Sequence, residues 1–184
     1  MKTLPRVSYF AALMVLAYGC AGTRAPRGPL DGSSPPPRTG QSCSPNINGP
    51  GPGPQPKITE GITGVVCFWK GDFMPGDGAR RGVIEPVRRT IEIHAATLTG
   101  DAVAAADPGP FWTSVSTPLI ATVTSGDDGW FEVAVPPGTY SLFVRESGRL
   151  YANGVNGDDI ITAIEVVGGA VSRTQFDINY EATY

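Results

Sequence analysis

The stretch Thr124-Ser125-Gly126-Asp127-Asp128-Gly129-Trp130-Phe131-Glu132-Val133-Ala134-Val135-Pro136-Pro137-Gly138-Thr139-Tyr140-Ser141-Leu142-Phe143-Val144-Arg145 decides the fold. It reads as turn, strand, turn, strand. Gly126-Asp127-Asp128-Gly129 combines carboxylates that bond their own backbone with glycines that tolerate positive φ. Pro136-Pro137-Gly138 presets one dihedral and frees the next. After the first turn, Phe131, Val133 and Val135 alternate with Trp130, Glu132 and Ala134. After the second, Tyr140, Leu142 and Val144 alternate with Ser141, Phe143 and Arg145. A period of two with one apolar side predicts half-buried strands whose sheets face each other.

The pattern extends in both directions. Ile91, Ile93 and Ala95 alternate with Thr90, Glu92 and His94, and Phe176, Ile178 and Tyr180 with Gln175, Asp177 and Asn179. Leu119-Ala121-Val123 and Ile160 to Val166 add two more segments. Ile62 to Trp69 is apolar on both sides, which predicts a strand with both faces covered. Polar turns at Gly154 to Asp159 and at Gly168-Gly169 separate the later strands. The nearest approach to a helix, Ala102 to Ala106, runs into Asp107-Pro108-Gly109-Pro110 and stops. With 24 Gly and 18 Pro in 184 residues, the expectation is an all-β, antiparallel β-sandwich of about seven strands over residues 57–184.

Composition removes several function classes. Lys and Arg total 14 against 17 Asp and Glu, and no basic run exceeds an Arg pair, so no nucleic-acid partner is expected. Three cysteines are too few for a disulfide-dense scaffold, and one histidine leaves little for a zinc site. No cofactor is expected.

Residues 1–19 read as an export signal: Lys2 and Arg6, then an uncharged stretch from Val7 to Gly19, shorter than the roughly 20 residues of a spanning helix. Residues 21–56 hold seven Gly and ten Pro, including Gly49-Pro50-Gly51-Pro52-Gly53-Pro54, and read as a semi-flexible stalk reaching at most about 110 Å. The stalk's Arg24, Arg27 and Arg38 against Asp31 make it net +2. Residues 57–184, with nine basic and sixteen acidic side chains, are net −7.

Gly19-Cys20-Ala21, with Ala17 and Tyr18 before it, resembles a bacterial lipoprotein signal. The resemblance implies cleavage before Cys20 and a diacylglycerol on its sulfur. The partner would be a membrane in the cell envelope, and Ala21 in place of Asp points to the outer one. The alternative is ordinary cleavage after Gly19 and a soluble secreted or periplasmic product. The turn and strand at 124–133, the Pro-Gly-Thr-Tyr entry at 137–140 and Ile62-Thr63-Gly64-Val65-Val66 resemble the carboxypeptidase regulatory-like domain, a transthyretin-like (prealbumin-like) Greek-key sandwich. The likeness covers about 60–184, with an insertion from about Thr97 to Thr117. It implies a non-catalytic module with a structural or protein-binding role. The related hydroxyisourate hydrolases need several histidines, and this chain has only His94.

Each candidate site has a plainer reading beside it. His94 alternates outward with Glu92 and is read as a surface histidine, with a cryptic hydrolase as the alternative. Asp127, Asp128, Asp158 and Asp159 offer calcium ligands if their loops converge, and solvated turns if they do not. Lys70 with Glu132 and Asp177 or Asn179 invites comparison with isopeptide-forming adhesins, which require burial. Cys43 and Cys67 are either a disulfide joining stalk to first strand or leave Cys67 a buried thiol. Trp69, Trp112, Trp130, Phe143 and Tyr151 form a platform for a glycan or envelope protein, or else cover the second face of a sheet with the insertion.

Overall fold

Strand β1, Gly61–Asp72, is the axis of the first sheet in this computed structural model, which describes residues 43–44, 53–75, 82–107 and 109–184. Cys20, the export signal and most of the stalk lie outside the described residues. In β1, Ile62 and Val66 point into the core, with Phe68 packed against it. Val65, Cys67 and Trp69 point the other way and are also buried. The doubly apolar pattern therefore matches a strand covered on both faces.

Along one side of β1 runs β11, Val171–Thr183, in parallel, from Gly61 opposite Val171 to Asp72 opposite Thr183. Two short antiparallel strands share the other side. β7, Trp130–Val133, pairs with Ile62 to Val65, and β2, Val83–Pro86, pairs with Cys67 to Lys70. Val66 lies between them and bonds to both loops: its N–H donates to the Gly129 carbonyl (2.9 Å) and its carbonyl accepts from Val87 (3.0 Å). Gly129 has φ +74°, and a Cβ there would lie 2.6 Å from the Val66 oxygen. The turn needs glycine both for its dihedral and for this close approach.

The second sheet has the order β4-β5-β9-β8-β3-β6, and β10 pairs with β8 beside β9. Its members are β3 (Thr90–Ala95), β4 (Ala102–Ala104), β5 (Phe111–Val115), β6 (Leu119–Thr124), β8 (Gly138–Glu146), β9 (Arg149–Tyr151) and β10 (Ala163–Val166). Ile91, Ile93, Leu142, Val144 and Tyr151 from this sheet meet Ile62, Val66, Phe131, Phe176 and Ile178 from the first. The only helical turn among the described residues is a single 3-10 turn, Thr99–Asp101.

The all-β sandwich is as expected, with two differences. Among the described residues there are eleven strands rather than about seven, because the insertion contributes β4 and β5 at one end of the second sheet, and short pieces such as β2 and β9 pair separately. The first and last strands are parallel, not antiparallel. Period-two alternation carries no information about chain direction, so parallel pairing leaves no mark on the pattern.

Candidate functional site

His94 sits on β3 opposite Ser141 of β8, and it faces away from the core as alternation requires. The expectation that it lies on the surface is corrected: it is 6% exposed, and Glu92 is 7% exposed. The second face of this sheet is covered. Phe143, Leu150, Ala152 and Ile161 form a further apolar cluster there, joined by Ala102, Trp112 and Val115 of the insertion. The edge of the imidazole meets the Phe143 ring at 5.5 Å.

Each imidazole nitrogen has an oxygen neighbour. Nδ1 lies 3.1 Å from the Thr117 carbonyl and Nε2 lies 3.3 Å from a Glu92 carboxylate oxygen. The other Glu92 oxygen accepts from Arg145 Nε at 2.6 Å. The two ends of the insertion meet at this point. Thr97 Oγ1 donates to the Ala95 carbonyl (2.8 Å), so the Thr117 hydroxyl, 2.6 Å away, donates to Thr97. The Thr97 N–H donates to Ser141 Oγ at 3.0 Å. Ser141 is thus engaged by a backbone amide, and the geometry of a nucleophile bonded to its base is not formed. The arrangement clasps the neck of the 97–117 insertion to the sheet.

A second buried carboxylate, Glu146 on β8, accepts from Arg89 Nε and from the Tyr180 hydroxyl (3.1 Å). Burial, reinforced by Glu146, pushes the Tyr180 phenol up. Tyr151 lies in the core, and its hydroxyl donates to Asn179 Oδ1 (2.8 Å) and accepts from the Asn179 N–H (3.0 Å). Burial pushes its phenol up to about 12.

The expected aromatic platform is corrected too. Phe143 and Tyr151 are fully buried, and Trp69 is nearly so. Tyr151 lies between the sheets, whereas Trp112 and Phe143 are on the outer side of the second sheet. Trp69 is on the outer side of the first, and Trp130, next to core-facing Phe131, also points that way. Trp112 Nε1 is held by the Ala152 carbonyl at 3.2 Å. Rings divided among three layers make no common surface.

Nor do the four aspartates converge. Asp127 pairs with Arg88 at 3.6 Å, Asp128 accepts from the Trp130 N–H at 3.1 Å, and Asp159 accepts from Thr99 Oγ1 at 2.7 Å. The N–H of Asp158 is held by Asn156 Oδ1 at 3.0 Å. Among the described residues no three acidic, His or Cys side chains gather where a metal could be held. The isopeptide set is likewise apart. Lys70 is exposed and pairs with Glu181 at 3.6 Å, and Glu132 accepts from the Lys57 N–H at 2.9 Å.

On the outer face of the first sheet, Cys43 and Cys67 are joined in a disulfide with Cα atoms 5.7 Å apart. Next to it the Gln175 side chain closes two bonds on the Ser44 main chain. Its Oε1 accepts from the Ser44 N–H (3.0 Å) and its Nε2 donates to the Ser44 carbonyl (2.8 Å). Gln175 Nε2 also donates to Asp177 Oδ1, as does Trp69 Nε1, both at 2.8 Å. Burial outweighs these bonds and pushes the Asp177 carboxyl above its usual range. The folded unit therefore takes in Cys43 and Ser44, upstream of residue 57. The roles of Gln175 and Ser44 are invisible in the sequence, because they depend on the register that sets Gln175 opposite Val65 and Asp177 opposite Cys67.

An open groove of about 430 Å³ runs between Lys57, Ile58, Thr59 and Glu60 on one side and Ala134, Val135 and Pro136 on the other. Compared with known proteins, the chain matches no family model, no curated protein and no solved structure.

Proposed function

We propose that the chain is a lipid-anchored protein of the bacterial cell envelope, and that its carboxypeptidase regulatory-like sandwich is displayed on a stalk for structural or protein-partner binding, without turnover. The observation that carries the reading is the Cys43–Cys67 disulfide. Disulfides persist in oxidising compartments, which agrees with an export signal at residues 1–19. It also leaves Cys20 as the third cysteine, placed where the lipoprotein-like signal has its acylated residue. Each buried CH₂ contributes about 0.8 kcal/mol, so two or three acyl chains hold a protein on a bilayer where one does not.

The disulfide also ties Cys43, which the sequence places in the stalk, to β1. The polar side chains serve the fold. Glu92, His94 and Arg145 hold an insertion in place, and Glu146 joins Arg89 to Tyr180.

Detergent phase separation of cells expressing the full chain tests the anchor. The wild-type protein is expected in the detergent-rich phase with an acyl mass increment, and Cys20→Ser in the aqueous phase. Wild-type protein remaining in the aqueous phase would overturn the anchor.

A further inference from the structure

Strand β6 is an open edge of the second sheet: among the described residues it pairs with β3 alone. Its sequence, Leu119-Ile120-Ala121-Thr122-Val123-Thr124, has no charge and no proline, and four of its six residues, Ile120, Thr122, Val123 and Thr124, are β-branched. Proteins normally blunt such edges with charge, proline, bulges or shortness; β6 is bulged at Ile120, and its regular stretch is Ala121 to Thr124. The other edges here follow that rule. β11 carries Arg173, Asp177 and Glu181, β2 has four residues ending Glu85-Pro86, and β4 has three. Among the described residues, only β6 is an edge that is uncharged over more than three residues. Leu119 and Ile120 are 53% and 45% exposed on it, although Ala121 and Val123 pack against the core and hold the strand in place.

We infer that β6 is a self-association edge, where a second copy of this chain adds its own β6 antiparallel and extends the second sheet across both molecules. The choice of a second copy follows from charge. Residues 57–184 are net −7, so two copies repel over most of their surfaces. An uncharged strand is where they approach without setting like charges face to face. A two-fold axis through Thr122 keeps core-facing side chains on the same side. Ala121 then lies opposite Val123, and Thr122 opposite its own copy, a cross-strand Thr pair of the kind that stabilises sheets. One strand edge buries less than the roughly 1,200 Å² of a stable interface, so the pair is transient in dilute solution. Confining copies to one surface raises their effective concentration and populates it.

Cross-linking traps a transient pair, so the test stands whether or not the chain is lipid-anchored. The full chain carries Cys20→Ser, which removes the third cysteine, together with Thr122→Cys, and is oxidised after purification. Thr122 is exposed, and its facing copy would have its Cβ about 5 Å away, close to disulfide reach. A covalent dimer is expected. Ser114→Cys, exposed on β5 between two paired neighbours, is expected to give none. Adding Ile120→Lys to Thr122→Cys puts a charge on the otherwise uncharged edge and is expected to lower the yield severalfold. Intact mass showing the Cys43–Cys67 bond retained confirms that each variant is folded. Equal cross-linking at Thr122→Cys and Ser114→Cys would overturn the inference. So would purified Thr122→Cys that stays monomeric while the same variant in cells joins a different protein, which would assign the edge to a foreign strand.

Discussion

Cys43 is bonded to Cys67 across 24 residues of chain, and Gln175 grips the next residue, Ser44, by both its N–H and its carbonyl. A closed loop of this length lowers the entropy of the unfolded chain by an amount equivalent to about 3 kcal/mol. Cys43→Ser is therefore expected to lower unfolding stability by about that amount in denaturant titration. Alkylation without reductant should label no thiol at either position in the wild-type chain.

His94→Ala removes the ring that bridges the Thr117 carbonyl and one Glu92 oxygen inside a covered face. Stranding buried polar groups costs about 1–3 kcal/mol. The loss should be accompanied by faster hydrogen exchange in residues 97–117, because the neck of the insertion is clasped there. Unchanged exchange in that segment would contradict the clasp.

Asp177 has a carboxyl raised by burial, so the folded state holds its proton more tightly than the unfolded chain does. Its contribution is greatest in acid, below the unfolded value near 3.8, and declines as pH rises through the raised folded value. Asp177→Asn keeps an oxygen for Trp69 and removes this slope. The variant should gain stability relative to wild type as pH rises toward neutral, measured as unfolding midpoints across a pH series.

Tyr151 works in the alkaline range. Its phenol moves from 10.0 to about 12 in the folded state, so stability is full below pH 10 and falls between about 10 and 12. The shift corresponds to about 2–3 kcal/mol across that window. Tyr151→Phe is expected to be less stable at neutral pH, having lost the Asn179 bonds, and to show a flatter alkaline decline.

Gly129→Ala places a Cβ 2.6 Å from the Val66 oxygen at φ +74°. The turn must shift or open, at a cost of about 1–3 kcal/mol. Denaturant unfolding should show a lower midpoint with an unchanged slope.

Alternation assigned core-facing positions well. Ile91, Ile93, Phe131, Leu142, Val144, Phe176 and Ile178 all lie between the sheets, and the second apolar face of β1 is covered. The same reasoning placed His94 and Glu92 on the correct face but not under cover. Period two reports which side a residue takes, while burial of that side depends on Trp112 and Val115 arriving from a segment with no clear period of its own. The aromatic positions failed for a related reason: Tyr151, Phe143 and Trp69 occupy three layers, and a list of large side chains carries no layer assignment.

The side-by-side run of β1 and β11 sets an order of events for the newborn polypeptide. Gly61 finds its neighbour only when Val171 has emerged, 110 positions later. Until then a strand that is apolar on both faces lacks one whole flank and is exposed to aggregation. A ribosome stalled before that last segment would release a product that is sticky rather than merely short.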